Sequence, residues 1–311
     1  TGTGSQLSEI VTWTNTNGSE VFSITVSDAG ATLDLDAVTI AGAADLDVIT
    51  FQATGSNVLQ VDGADISAIS GTVVAAGTTD TLNVGVANGT GADAVDATKF
   101  AAFETLTLVG TAALDLNLED AGVAVARTIN GDVGDNTIDL QTPTAAKSVV
   151  LTSGGTDTVE VAHDSSGLVT VTGFTPGTGG DVINILTTAE ATGAITMVGP
   201  VVTTGATADS NATDPDSGFI MASSASQISG VLTGTGNAGS VEAAIIAAGL
   251  SGTGMTDGQF FVAAIDNGTD TAIYKVTAND TAVIDATDLD GITHLVTLVG
   301  VTADQLVPAN I

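Results

Sequence analysis

Aspartates set in glycine turns ahead of aliphatic strands are the residues of this chain whose type and spacing could do chemistry. The pattern Gly-x-Asp-x-aliphatic recurs as Gly91-Ala92-Asp93-Ala94-Val95, Gly155-Thr156-Asp157-Thr158-Val159 and Gly179-Gly180-Asp181-Val182-Ile183. Asp80 follows a similar turn in Thr79-Asp80-Thr81-Leu82-Asn83-Val84, which Thr156 to Val161 echoes. An asparagine version runs from Gly131 through Asp132, Gly134, Asp135 and Asn136 to Ile138. The tail adds Asp266 and Asp270 around Asn267-Gly268, and Asp288 and Asp290 ahead of Gly291. A carboxylate beside turn carbonyls suits Ca²⁺, a hard cation that takes roughly six to eight oxygen ligands. Metal ligation by these eleven residues is the chemistry the pattern predicts, although an Asp before a strand is also a common turn former.

Other chemistry finds no pattern. His163 and His294 are the only histidines, and no H-E-x-x-H set accompanies them. Ser165 and Ser166 lie beside His163 and Asp164, but the G-x-S-x-G elbow of a serine hydrolase is missing. Asp288-Leu289-Asp290-Gly291 resembles part of an EF-hand loop, yet Ala286 holds the first ligand position and no Glu closes the loop. Neither a phosphate-binding G-x-x-x-x-G-K-[ST] nor a strand–G-x-G-x-x-G–helix unit occurs. The chain contains no cysteine, which removes thiolate zinc sites, cysteine nucleophiles and disulfide staples. The residues therefore read as those of a non-enzyme.

Charge narrows the partners. The chain has 36 Asp and Glu against 4 Lys and Arg, a formal net charge of -32 over 311 residues. Phosphate backbones and anionic lipid surfaces both need Lys and Arg, so nucleic acid and such membranes are excluded as partners. Self-repulsion on this scale opposes the compact state unless cations screen it. Bound divalent metal or high external salt would each do so, and the acids gathered in turns favour metal. No apolar run reaches the roughly 20 residues of a membrane helix. The chain starts at Thr1 without Met or a signal-peptide pattern, and reads as a segment or a processed product. Asn-x-Ser/Thr sequons at Asn17, Asn88, Asn211, Asn267 and Asn279 are expected by chance in so threonine-rich a chain, and would matter on a glycosylated surface.

The elements that must position the acids are strands. Val, Ile, Leu and Ala alternate with Thr, aromatics are only 3%, and 38 glycines punctuate the chain. Val169 to Ile185 reads as strand, glycine-rich turn and strand, with Phe174 as an apolar anchor. Leu33 and Leu35, Val38 and Ile40, Ile49 and Phe51, and Val58, Leu59 and Val61 look like stacked rungs. Asp96 to Gly110 is echoed by Asp285 to Gly300: both start Asp-Ala-Thr and finish Thr-Leu-Val-Gly. The first residues predict a hairpin, Ile10–Trp13 turning at Asn17-Gly18 into Val21–Val26, with Trp13 against Phe22. The expectation is an all-β fold, a β-helix or β-sandwich of stacked strands with calcium-binding turns. A small C-terminal β domain with one short helix would follow. The predicted boundaries are 1–200 for the repeat domain, 201–222 for a linker or surface loop, and 223–311 for the C-terminal domain. The helix is predicted over Val241–Ala248, with Ser240 as its N-cap and Gly249 as its stop. The tail predicts a hairpin of Gln259–Ile265 and Thr271–Val276 about the Asp266–Asp270 turn.

Gly131 to Ile138 resembles the calcium-binding nonapeptide G-G-x-G-x-D-x-U-x, with Asp132 for the second Gly and Asn136 for the Asp. Together with Gly173-Phe174…Gly180-Asp181-Val182-Ile183 and the closing Leu298-Val299-Gly300-Val301, it is similar to RTX-type bacterial surface proteins of type I secretion, over about residues 130 to 311. In this chain the copies lie tens of residues apart, so isolated turn sites rather than a continuous calcium roll are expected. The resemblance implies an extracellular, cell-surface structural protein that self-assembles into a surface layer or filament, locked by Ca²⁺. Its partners would be further copies of itself, with cell-surface polysaccharide as another candidate. A stalk or secretion-end module of a large adhesin is the alternative, and a non-catalytic β-helical region of an exoenzyme is a third.

Overall fold

The computed structural model describes residues 2–3, 6–7, 12–15, 23–35, 39–42, 46–62, 69–77, 79–85, 93–95, 99–110, 113, 115–118, 125–165, 168–186, 216–221, 238–247, 259–278 and 289–311. The fold is all-β, a parallel β-solenoid with a short helix and a C-terminal β region. It forms two compact units, residues 1–155 and 156–311.

In the first unit successive turns of chain add parallel strands to stacked sheets. The strands β2 (Ser23–Val26), β5 (Leu46–Phe51) and β7 (Ile69–Val74) form one sheet. The strands β3 (Thr32–Asp34), β6 (Val58–Asp62), β8 (Thr81–Gly85), β10 (Thr105–Val109), β12 (Arg127–Asn130) and β14 (Lys147–Val150) form another, in that order. The strands β9 (Asp93–Val95), β11 (Asp115–Leu118) and β13 (Thr137–Asp139) pair in a further sheet, and β1 (Thr12–Asn15) pairs with β4 (Thr39–Gly42). Every one of these pairings is parallel, and Val58, Thr81, Thr105 and Thr128 lie in register on successive turns.

The alternation in the sequence explains the core. Leu59 and Val61, Leu82 and Val84, and Leu106 and Leu108 point inward and are buried, while Gln60, Asn83 and Thr107 between them face out. Aliphatic residues stack on each turn, so aliphatic ladders fill the interior, each side chain contributing about 1.5–3 kcal/mol on burial. The rung residues Leu33, Leu35, Ile49 and Phe51 are buried as expected. Phe100 and Phe103, both fully buried, fill the corner ahead of β10.

Three expectations change. The N-terminal hairpin does not form: β1 pairs parallel with β4 and β2 pairs parallel with β5, because a solenoid joins each strand to its successor one turn later. Asn17, Gly18 and Phe22 lie outside the described residues. The β-sandwich alternative falls with the parallel registers. The predicted linker carries a strand, β18 (Asp216–Met221), parallel to β19 (Gln259–Asp266), so Phe219-Ile220-Met221 prevail over the polar residues before them.

In the second unit β15 (Thr158–Ala162) pairs parallel with β17 (Val182–Leu186), and β16 (Val169–Thr172) with β21 (Leu289–Val299). The tail hairpin is present: β19 runs antiparallel to β20 (Thr271–Ala278), which is antiparallel to β21. The helix α1 (Ala238–Ala247) starts three residues earlier than predicted, so Ser240 lies within it rather than capping it. It takes in Ala238, a strong helix former. Val241, Ala244 and Ile245 make its buried face, and it packs against β21.

A bulge tests the lattice. Leu46 pairs with Ile69 but Val48 with Thr72, so one extra residue enters β7, and Gly71 sits against the Asp47 carbonyl, where a Cβ would collide. Replacing Gly71→Ala is expected to destabilise the protein by about 2 kcal/mol or more. A lowered urea midpoint with an unchanged slope is the expected reading, and an unchanged midpoint would contradict the bulge.

Candidate functional site: the acid-bearing turns

In the first unit the acids serve the backbone. The residues just ahead of β6, β8 and β10 are Asn57, Asp80 and Glu104, one column on successive turns. Asp80 is fully buried. Its Oδ1 accepts the Asn57 N–H at 2.9 Å and the Asn57 Nδ2 at 2.9 Å, and its Oδ2 accepts the Gly77 N–H at 3.1 Å. The Asp80 N–H in turn donates to Glu104 Oε2 at 2.9 Å. Each carboxylate thus takes the corner N–H of the turn before it.

The second unit repeats the device. Asp157 N–H donates to Asp181 Oδ1 at 2.9 Å, and Thr175 N–H to Asp181 Oδ2 at 2.7 Å. Both aspartates are buried. Asn310 closes the same turn: its Nδ2 donates to the carbonyls of Asp181 at 2.8 Å and Gly177 at 3.1 Å, while its Oδ1 accepts the N–H groups of Gly177 and Val307. Asp266, also buried, accepts the N–H of Gly268 at 2.8 Å on Oδ1 and of Ala303 at 3.0 Å on Oδ2. Asp270 Oδ1 accepts the Gly300 N–H at 2.7 Å.

The Gly131 turn differs. Asp132 Oδ1 accepts the Gly134 N–H at 2.8 Å and Asn136 Nδ2 at 3.0 Å. Asp132 Oδ2 is buried with no hydrogen-bond partner among the described residues. Asn136 is buried beside it, and Asp135 is exposed. Asp93 opens β9 and Asp290 lies in β21, while Asp288 falls outside the described residues. The candidate ligands are therefore spread over separate turns. Among the described residues no three His, Cys, Asp or Glu side chains converge as a metal cluster. The oxygens of Asp80, Asp181 and Asp266 are taken by N–H donors, whereas Asp132 Oδ2, with Asp135 nearby in sequence, fits a cation best.

No family model, curated protein or solved structure matches the chain.

The sequence reading missed the cations. Arg127 and Lys147 are almost fully buried. Arg127 Nη1 donates to the carbonyls of Phe103 at 3.0 Å and Phe100 at 3.3 Å, and Lys147 Nζ to Val125 O at 2.7 Å. Lys99 Nζ donates to Ile69 O at 2.6 Å, and Lys275 Nζ lies 4.8 Å from the Phe260 ring centre. The available signal was position: Arg127 and Lys147 each open a Thr/Ser–aliphatic strand, where the acids stand on earlier turns.

The histidines pack. His163 meets Phe260 edge-on at 4.8 Å, and Ser165 Oγ donates to the Ala162 carbonyl at 2.7 Å rather than to an imidazole. Ser166 lies outside the described residues. His294 lies 5.0 Å from Tyr274, its Nε2 sharing a hydrogen bond with Thr297 Oγ1 at 3.0 Å. Burial pushes the Tyr274 hydroxyl up to about 12. Burial lowers both imidazoles below the ordinary 6.5, with Lys275 adding to the effect on His163 against a smaller opposing pull from Asp164, and a backbone bond to Val296 opposing it at His294.

Two outcomes follow. A lowered folded value means that the unfolded chain binds more protons, so stability contributed by neutral His163 and His294 is full above pH 6.5 and lost as pH falls below it. Urea midpoints measured across this range should fall with acidification less steeply in a His163→Phe, His294→Phe chain. Equal slopes would remove the histidines from the account. Asp181→Ala strands the buried Asp157 N–H and removes the acceptor of the Thr175 N–H, and should cost about 3 kcal/mol, with or without chelator. A cost that vanishes in EDTA would instead make Asp181 a metal ligand.

Proposed function

We propose that this chain is a non-catalytic, extracellular structural protein that self-assembles into a surface layer or filament stabilised by Ca²⁺. The observation that carries the reading is the use made of its reactive side chains. Asp80, Glu104, Asp181, Asp266, Lys99, Arg127 and Lys147 hold corners of the scaffold through backbone groups. A chain that uses its scarce cations in this way keeps a net charge of -32 for ions in solution to neutralise. Divalent ions do this most effectively where carboxylates gather, and the Asp132–Asn136 turn, with its unmatched buried oxygen, supports Ca²⁺ there. A cysteine-free solenoid gains stiffness from such ions in place of disulfides. Cell-surface polysaccharide is a further partner of this reading.

Electron microscopy and light scattering at low salt test it. Ordered assemblies are expected with Ca²⁺ and their loss after EDTA. A monodisperse protein under both conditions, or assemblies that persist unchanged through exhaustive chelation, would overturn it.

A further inference from the structure

We infer that the outward face of β8, β10 and β12 is a self-complementary contact between two copies of this chain. The inference rests on the assembly reading above and assigns that assembly a surface. The face is a two-column lattice in register: Thr81, Thr105 and Thr128 in one column, Asn83, Thr107 and Asn130 in the other. Asn130 Nδ2 donates to Thr107 Oγ1 at 3.2 Å, so the columns are ordered rather than loose. Neither column carries a charge on these three strands. Within the strands of this sheet the nearest carboxylates are Asp34 and Asp62, on β3 and β6, and the half-buried Glu104 at the corner ahead of β10 has its Oε2 taken by the Asp80 N–H.

Charge selects this face. Two copies of a chain with net charge -32 repel wherever their carboxylates meet. They approach at least cost where none project. The sheet of β2, β5 and β7 also turns Thr25, Thr50 and Val74 outward, but β5 carries the half-buried Asp47, and the bulge between Leu46 and Val48 breaks its register. The lattice of β8, β10 and β12 has no such break.

Periodicity selects the occupant. Successive strands repeat about every 4.8 Å, and facing sheets interdigitate about 10 Å apart. A second copy has the same repeat, so its hydroxyl and amide columns mesh with these at every turn, as stacked Asn and Thr ladders do. A partner of another repeat falls out of step within a few turns. The lattice covers roughly 300 Å² by strand spacing and rise, below the about 800 Å² per partner of a stable pair. One contact is therefore weak, and several must act together.

The absence of cysteine makes the test direct. Thr107→Cys and, as a control on the β15 face beside Glu160, Thr158→Cys are each treated with a short bismaleimide under the assembling conditions. A two-fold contact brings Cys side chains at position 107 together and yields covalent dimers, with several-fold less dimer from the position-158 control. In parallel, Thr81→Glu with Thr128→Glu should weaken assembly by roughly tenfold or more in light scattering, with an unchanged circular dichroism spectrum. Assemblies that form normally in the Glu variant, or equal cross-linking at both positions, overturn the inference while leaving the assembly reading intact. A wild-type chain that never assembles overturns both. If the Glu variant fails to fold, the cross-linking alone decides.

Discussion

Every corner of a solenoid interrupts the ladder of backbone hydrogen bonds, and the groups left over must find partners inside a closely packed stack. This chain meets that constraint with side chains one turn further on. Asp80, Glu104 and Asp181 accept corner N–H groups, and Arg127 and Lys147 donate to corner carbonyls. The acid pairs are 23 or 24 residues apart, which is the length of one turn. A residue type that recurs at the period of the fold can serve each neighbouring turn in the same way.

That arrangement governs the electrostatics. Three of the four Lys and Arg residues donate to backbone carbonyls, two of them from nearly full burial, and the fourth lies over Phe260. The surface keeps its carboxylates, and their self-repulsion opposes the compact state unless ions screen it. Where the strands carry Thr and Asn instead, on β8, β10 and β12, the sheet is neutral and regular. An acidic exterior with a neutral lattice is a physical basis for contact at one place and repulsion elsewhere.

Much of the fold was legible. Alternation of aliphatic residues with Thr marked the rungs, and Asp266-Asn267-Gly268 marked the tail hairpin, because period-two burial and tight turns are local properties. The Asn17-Gly18 signal misled for a related reason. A turn sequence states that the chain reverses, whereas the pairing partner of β1 is β4, set by stacking at a distance. The strand at Asp216–Met221 was hidden because its support is a neighbour, β19, more than 40 residues on.

The sequence by itself determined that this is an all-β chain with an aliphatic core, acids at strand starts and almost no cations. Those features follow from composition and short-range pattern. Only the tertiary structure decided what the acids and cations touch. Asp132 and Asp181 stand in nearly the same local context of glycine and turn, yet one keeps a buried oxygen without a hydrogen bond and the other has both oxygens taken by N–H donors. The difference lies in which backbone groups the fold brings alongside: Asp181 takes one N–H from Asp157, a full turn away in the chain, and one from Thr175 across its own glycine turn.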